Sequence, residues 1–574
     1  MKKRTTAMAA GALALALALG ACANNTPTDG TSGGTSTGTE ASFTNTNAHP
    51  YSDLKQGGTL NLSATEFTEQ KNPFHADGTV DTTFLWAWYN AELIKFKPNG
   101  DININKDYLT DVKDEVVDGN TVVTYTMNPE AKFNDGTPMD IKAWVNTWTA
   151  NNGSNEEYFA SSTDGYNKVK SVEAGKDDFQ IVVTFNGPWP WWGGMFNFLL
   201  HPAVNTPELY NTAYVGNDLA SAHPEWGVGP YKLESLDATA GTATLVPNEL
   251  WWGDKAKLDQ VNLVQRESTA AINAFANGET DYVGASTADV LNQVKDVPDT
   301  DTRVGASTSN WMLQLNSQTG VLKDKIVRQA IMTAVDREQV AKVRFQGLDY
   351  TEEFPGSFLL FTFQEGYQDN FAQVIPKSDV AAAKKLLEDE GYVMGDSGFY
   401  AKDGTQLDVH YTLFGDSASS KALAQVFQQQ MKAAGINMII DQKASADFSD
   451  IMAKGEWEMN FSGFSSGDPF GVAYTCQVWC SGDEASGLNK SGVGSDALNK
   501  EIHEMEALPT AEEQIAAANK IEVKMFAEYG LMPIFNGPTQ YQVKSNLANV
   551  GASVFAAQGN ALGDFRQNIG FLED

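Results

Sequence analysis

Phe133-Asn-Asp-Gly-Thr-Pro-Met-Asp140 couples a turn directly to the start of a helix. Asp135-Gly136 with Pro138 is turn chemistry, and Asp140 is a residue type suited to a helix N-cap. From Asp140 to Asn151 the spacing predicts a helix with Ile141, Trp144, Val145 and Trp148 on one apolar stripe. Just upstream, Asp118-Gly119-Asn120 turns the chain between two extended runs, the second being Thr121-Val-Val-Thr-Tyr-Thr126. The same mixture recurs outward. Gly57 to Ser63 alternates as a strand and Thr244 to Pro247 is extended, whereas Val327 to Val340, Ala381 to Glu390 and Ala422 to Ala433 read as helices. Ala511 to Glu528 is a further helix, entered through Pro509-Thr510. Long helices with intervening strands and no regular alternation predict mixed α/β lobes. No internal repeat is present.

Four more segments stand out. They are Gly227-Val-Gly-Pro-Tyr-Lys-Leu233, Val246-Pro-Asn-Glu-Leu-Trp-Trp-Gly253 ending near Leu258-Asp259, and Ala274-Phe-Ala-Asn-Gly-Glu-Thr-Asp281. The last is Asn316 followed by Asp324-Lys-Ile-Val-Arg-Gln-Ala-Ile331 and Ala334-Val-Asp-Arg337. Each has a local structural reason. Gly229-Pro230-Tyr231 turns the chain into a strand with an aromatic beneath it, and Asp336-Arg337 reads as a solvated charge pair on a helix. Most of these residues are therefore scaffold. In this order, however, the five segments resemble the family 5 extracellular solute-binding proteins, the oligopeptide- and dipeptide-binding receptors of ABC importers. The resemblance implies an α/β mixed, two-lobed periplasmic-binding-protein type of fold with an extra inserted subdomain and a hinged cleft. Lobe one would comprise 52–78, 190–310 and 538–574, the inserted subdomain 79–189, and lobe two 311–537. The hinges would fall near 307–316 and 535–542.

The resemblance also implies where a ligand sits. The family's peptide-contacting strand has a Gly-aromatic pair before an acidic-Pro step, matched here by Met459-Asn-Phe-Ser-Gly-Phe-Ser-Ser-Gly-Asp-Pro469. A cleft that ignores side-chain identity must pair the ligand backbone, as in strand addition. Gly463, Phe464 and Ser465 are thus expected as backbone partners, with Phe464 also an apolar wall. Peptide-binding members carry an aspartate for the ligand's α-ammonium before the acidic-Pro step. This chain is about two residues shorter there and has Ser465 and Ser466 instead. Either Asp468 takes that role or the amine clamp is absent, which opens the way to capped peptides, oligosaccharides or other small solutes. Trp311 and the pair Trp86 and Trp88 are candidate cleft aromatics, and Thr65 and Glu66 are candidates by position. Lobe closure over a ligand needs no chemistry and no cofactor. A monomer that hands its ligand to permease subunits is expected.

The start of the chain suggests a compartment. Lys2, Lys3 and Arg4 precede an apolar run from Ala7 to Leu19, and Leu19-Gly20-Ala21-Cys22 resembles a bacterial lipobox. The expectation is a signal over 1–21, a lipid on Cys22, a flexible Thr/Ser/Gly/Asn tether over 22–51, and residence on the outer face of the cytoplasmic membrane. The remaining 553 of 574 residues exceed a single core. A net charge of −33 argues against nucleic acid. Cys476 and Cys480 form an even pair and predict a small disulfide loop; His49, His75, His201, His223, His410 and His503 are scattered, none close to the cysteines in sequence, so no metal site is expected. Nickel and haem look poor ligands for the same reason. Gly463-Phe-Ser-Ser-Gly467 formally matches a hydrolase elbow, but Asp468-Pro469 follows where a helix should start and only His503 lies downstream. A sensor or adhesin without transport would fit the anchor and tether equally well.

Overall fold

The computed structural model describes residues 43–485, 488–555 and 561–573. The signal segment, Cys22 and the first part of the tether lie outside the described residues. The last residues read as tether are built into the fold. Asn45 N–H donates to the Ala552 carbonyl at 2.8 Å, and His49 N–H donates to Asn549 Oδ1 at 2.8 Å. Among their side chains, Asn47 Nδ2 donates to the Ser545 and Leu547 carbonyls, at 3.4 and 3.3 Å.

The described chain forms two compact units. One contains 43–307, Gly467–Pro469 and the segment from Pro538 onward; the other contains Thr308–Ser466 and Phe470–Gly537. The chain passes between them after Ser307 and after Gly537, and briefly over Gly467–Pro469.

In the first unit β1 (Thr59–Ala64) buries Leu60, Leu62 and Ala64 on one face, as its alternation requires. Helix α1 (Val80–Tyr89) starts on a reciprocal cap in which the Thr79 hydroxyl accepts from Thr82 N–H while Thr79 N–H donates to Thr82 Oγ1. Strands β2 (Leu109–Val117), β3 (Asn120–Met127), β4 (Val169–Ala174) and β5 (Gln180–Phe185) make an antiparallel sheet in the order β2-β3-β5-β4. Helix α2 (Ile141–Asn151), between β3 and β4, is capped as its sequence predicts: Lys142 N–H donates to Asp140 Oδ1 at 2.9 Å. The buried face of α2 differs from the predicted stripe. Ile141, Val145 and Trp148 are only half-buried, and Ala143, Trp144, Asn146, Thr147 and Ala150 face inward. Small and hydrogen-bonded residues win there because Asn146 Nδ2 must reach the His201 and Val204 carbonyls, at 3.1 and 2.6 Å.

Strands β6 (Tyr231–Asp237), β7 (Thr242–Pro247) and β8 (Gln260–Gln265) complete a sheet of order β1-β8-β7-β6, with β1 parallel to β8. The Gly227-x-Gly229 turn before β6 has a packing reason. Val228 and Gly229 N–H both donate to the Tyr89 carbonyl at the end of α1, and a Cβ on Gly227 would lie 2.8 Å from that oxygen. Short strand β9 (Tyr282–Gly284) and β10 (Thr300–Ala306) flank strand Pro538–Lys544 in a third sheet. Asp281 is fully buried, accepts from Asn61 N–H and pairs with Lys544, so this residue is scaffold.

The second unit is built around a five-stranded mixed sheet. Its strands are β11 (Ser309–Leu315), β12 (Asp408–Phe414), β13 (Asn437–Lys443), β14 (Met459–Ser465) and β15 (Leu531–Phe535), in the order β13-β12-β14-β11-β15. The helix expected over 327–340 is two helices, α3 (Lys325–Ala334) and α4 (Arg337–Arg344). Asp336 breaks it by capping α4, accepting from Gln339 N–H at 3.2 Å. Nor is Arg337 a solvated partner of Asp336. Its Nη1 donates to the Pro355 carbonyl at 2.7 Å, and its guanidinium sits 5.1 Å from the Phe371 ring. Helix α5 (Val380–Asp389) follows; α6 (Ala418–Ala433) makes the crossover between parallel β12 and β13. Short helix α7 (Thr475–Trp479), α8 (Asp496–Glu506) and α9 (Ala511–Phe526) follow β14. None of the described helices is long and apolar enough to cross a membrane.

Candidate ligand-binding site

Strand β14 carries the sequence that the resemblance singles out, and its two sides differ. On one side all seven residues pair antiparallel with β11, from Met459 opposite Leu315 to Ser465 opposite Ser309. On the other side β12 runs parallel but pairs only with Met459 and Asn460. It then continues against β13 through Phe414. Among the described residues no strand pairs with that side of Phe461 through Ser465.

Ladder parity shows which backbone groups face the open side. Ser466 N–H donates to the Thr308 carbonyl at 2.7 Å, and Asn316 N–H donates to the Glu458 carbonyl at 2.8 Å. In an antiparallel pair hydrogen-bonded and non-hydrogen-bonded positions alternate. Asn460, Ser462 and Phe464 therefore turn their N–H and C=O toward β11, and Phe461, Gly463 and Ser465 turn theirs away from it. Gly463 and Ser465 are exposed. Two of the three expected backbone partners thus lie on the free edge. Phe464 does not, because its position in the pleat directs its peptide groups to Asn310.

Side chains sort by the same parity, since successive residues of a strand point to opposite faces. Trp311, directly opposite Gly463, shares a face with Phe461, and their rings stack 5.7 Å apart at 17°. Trp311 is 36% exposed, so the indole offers one covered and one open flank. Ser309 and Ser465, at the end of this face, share a hydroxyl hydrogen bond of 2.8 Å. Phe464 lies on the opposite face, where its ring is 6.2 Å from Phe358, itself packed on Trp479 and Phe526. Phe461, rather than Phe464, is therefore the aromatic of β14 that shares a face with Trp311. Its place two residues before Gly463 was the available signal.

Asn536 and Glu352 hold the neighbouring end of this unit. Asn536 Nδ2 donates to the Ser309 carbonyl at 2.7 Å. The Glu352 carboxylate accepts from the backbone N–H of Asn536 and of Gly537, at 2.9 and 2.8 Å. Burial raises the pKa of Glu352, against these opposing hydrogen bonds.

The other predicted residues fall elsewhere. Trp86 and Trp88 are core, 1% and 0% exposed, packed edge-on against Tyr214 and Tyr231. Helix α1 is apolar on nearly every side, and burial rather than ligand contact accounts for both indoles. Thr65 is exposed and Glu66 half-buried just after β1, and Thr65 N–H donates to Asp81 Oδ1 at 3.1 Å. Asp468 is 5% exposed, and desolvation pushes its carboxyl well above the usual carboxylate range. Cys476 and Cys480 are joined in a disulfide across α7. The hydrolase-like serine lacks its elbow: Ser465 ends a strand, its hydroxyl meets Ser309, and the next helix begins only at Thr475. His503 meets Glu484 and Glu506 rather than a serine.

Comparison with known proteins bears on the family and the fold. The profile of the bacterial extracellular solute-binding proteins, family 5 Middle, matches residues 106–486. The oligopeptide-binding protein OppA of Mycobacterium bovis (strain ATCC BAA-935 / AF2122/97) is 31% identical over 512 residues, covering 88% of this chain and 84% of that one. Among solved structures, the periplasmic EDTA-binding protein EppA superposes with a TM-score of 0.80 at 21% identity, over 92% of this chain and 98% of its own. The oligopeptide-binding protein AppA from Bacillus subtilis, in complex with a nonapeptide, gives 0.68 at 17%, over 91% and 100%. The mixed α/β fold is therefore that of periplasmic solute-binding proteins, and the chain belongs to the family 5 bacterial extracellular solute-binding proteins.

Proposed function

We propose that this chain is the extracytoplasmic receptor of an ABC importer and captures oligopeptides. The observation that carries the reading is the free edge of β14. Phe461, Gly463 and Ser465 present backbone donors and acceptors there, as an extended peptide needs if its own groups are to be paired on enclosure. Trp311 stacked on Phe461 supplies an apolar surface beside that edge, tolerant of varied side chains. The Mycobacterium bovis relative, named as oligopeptide-binding, supports the same ligand class.

In this reading residues 52–78, 190–310 and 538–574 form one lobe with 79–189 inserted, and 311–537 form the other. A ligand that contacts both lobes only when they close favours the closed state by its differential affinity. The permease recognises that state, and the receptor acts as a monomer without catalysis or cofactor. A diacylglyceryl group on Cys22 holds it at the outer face of the cytoplasmic membrane. Cys22→Ala should then release the protein into the medium.

Oligosaccharides are the second reading, because an open indole flank also suits a sugar face. Native mass spectrometry of freshly purified protein separates the two. Co-purified species with peptide masses support the proposal, and hexose-spaced masses would replace peptide by glycan.

A further inference from the structure

The fold brings His503, distant in sequence, to three ligand groups that lie within nine residues of one another. The sulfurs of Cys476 and Cys480, one imidazole nitrogen of His503 and one carboxylate oxygen of Glu484 all lie within 4.8 Å of one another. In sequence no histidine stands close to Cys476 and Cys480. Helix α8 supplies one from more than twenty positions downstream. The elements that carry these groups are fixed to each other: Asn499, one turn before His503, accepts from Ser481 N–H at 3.1 Å and donates to the Ser481 carbonyl at 2.9 Å. Outside the cluster, Glu506 Oε2 stands 3.5 Å from His503 Nδ1 while Nε2 faces Glu484. That is the outer carboxylate that orients a metal-bound imidazole.

We propose that, when the disulfide is reduced, Cys476, Cys480, Glu484 and His503 bind one thiophilic divalent cation, zinc(II), in tetrahedral geometry. Two thiolates, an imidazole and a carboxylate are a zinc ligand set, and four such ligands close the coordination sphere. With ordinary zinc bond lengths the ligand atoms would stand about 3.3–3.8 Å apart. The sulfurs must therefore separate from their bond, and the His503–Glu484 pair must open from 2.5 Å. Glu484 and His503 are both exposed, which lets them do so.

The electron balance makes the two states exclusive. A dithiol reductant gives two electrons to the Cys476–Cys480 bond and closes to its own disulfide, and its two protons end on the cysteine sulfurs. Zinc then displaces both protons as it binds the thiolates. Oxidation would expel the metal, so the cluster is a redox-gated cation site. It is independent of the ligand reading above.

The test uses the full mature chain carrying Cys22→Ser, so that these two are its only cysteines. The protein is reduced with a phosphine, desalted without oxygen, and titrated with Co(II) and then Zn(II). One equivalent of Co(II) should give thiolate-to-metal charge transfer and tetrahedral d–d bands, displaced by Zn(II), while the oxidised protein gives neither. His503→Ala and Glu484→Gln, both at exposed positions, should each weaken Zn(II) binding by about tenfold or more. Far-UV circular dichroism checks that each sample is folded. Absence of thiolate bands in the folded, reduced parent overturns the proposal, as does parental affinity in both variants.

Discussion

The indole of Trp311 lies across Gly463, its directly opposed residue on β14: a Cβ at Gly463 would sit 3.1 Å from the indole Cδ2 and Cε3 and 2.7 Å from the Asn310 carbonyl oxygen. The glycine is what lets the ring lie flat there. Gly463→Ala must displace the ring or part the strands, and should destabilise the protein by about 1–3 kcal/mol, as overpacking does. Trp311→Ala removes a part-exposed indole stacked on Phe461 and should lower the melting temperature modestly, less than loss of a buried tryptophan would. Both variants should bind a peptide about tenfold more weakly, a loss of ~1.4 kcal/mol. Isothermal titration reads this directly. Parental affinity in Trp311→Ala would remove the indole from the site.

Backbone pairing along β14 makes a claim about the ligand as well. An added strand directs alternate peptide N–H groups to its host. Methylating peptide nitrogens one at a time should therefore weaken binding at every second position, each by about 1 kcal/mol, with the intervening positions tolerant. A flat profile along the peptide would exclude strand addition at this edge.

What was legible in the sequence was local. The Phe133–Asp140 turn and cap need only neighbouring residues, and they form as read. The break between α3 and α4 was also local, but the apolar period across 327–340 concealed the capping role of Asp336. Contacts set by register were not legible. Whether Phe464 or Phe461 shares a face with Trp311 depends on a pairing in which a shift of one residue reverses the answer. Trp86 and Trp88 are large, amphipathic and early in the chain, which suits a cleft and a core equally; only the Tyr214 and Tyr231 rings, contributed from far downstream, decide for the core. His503 beside Cys480 belongs to the same class of long-range fact.

Asp468 gives a proton-linked prediction. Burial pushes its carboxyl well above the usual range. If it receives a ligand α-ammonium, the cation must draw that pKa down, and binding must expel a proton. Affinity for peptides with a free amino terminus should then rise with pH through the raised pKa, while N-acetylated peptides show no such slope. Asp468→Asn should cost the free-amine peptide about tenfold and the acetylated one almost nothing. Equal losses for both would show that Asp468 is structural.

Glu522 makes the folded state itself pH-dependent. On α9 its carboxylate is fully buried, accepting from Phe358 N–H and from Asn370 Nδ2, both at 2.8 Å. Desolvation outweighs these bonds and raises its pKa from 4.5 to about 7. The folded state thus holds a proton that the unfolded chain has released, and stability contributed by this group is complete below the unfolded value and falls as pH rises toward the folded one. A shift of that size corresponds to a loss on the order of 3 kcal/mol between pH 4.5 and 7. Glu522→Gln cannot ionise, so its urea midpoint should change less than the parent's over that interval, even if the variant starts lower because its amide meets Asn370. Parallel pH profiles for the two proteins would show that Glu522 is not the group that titrates.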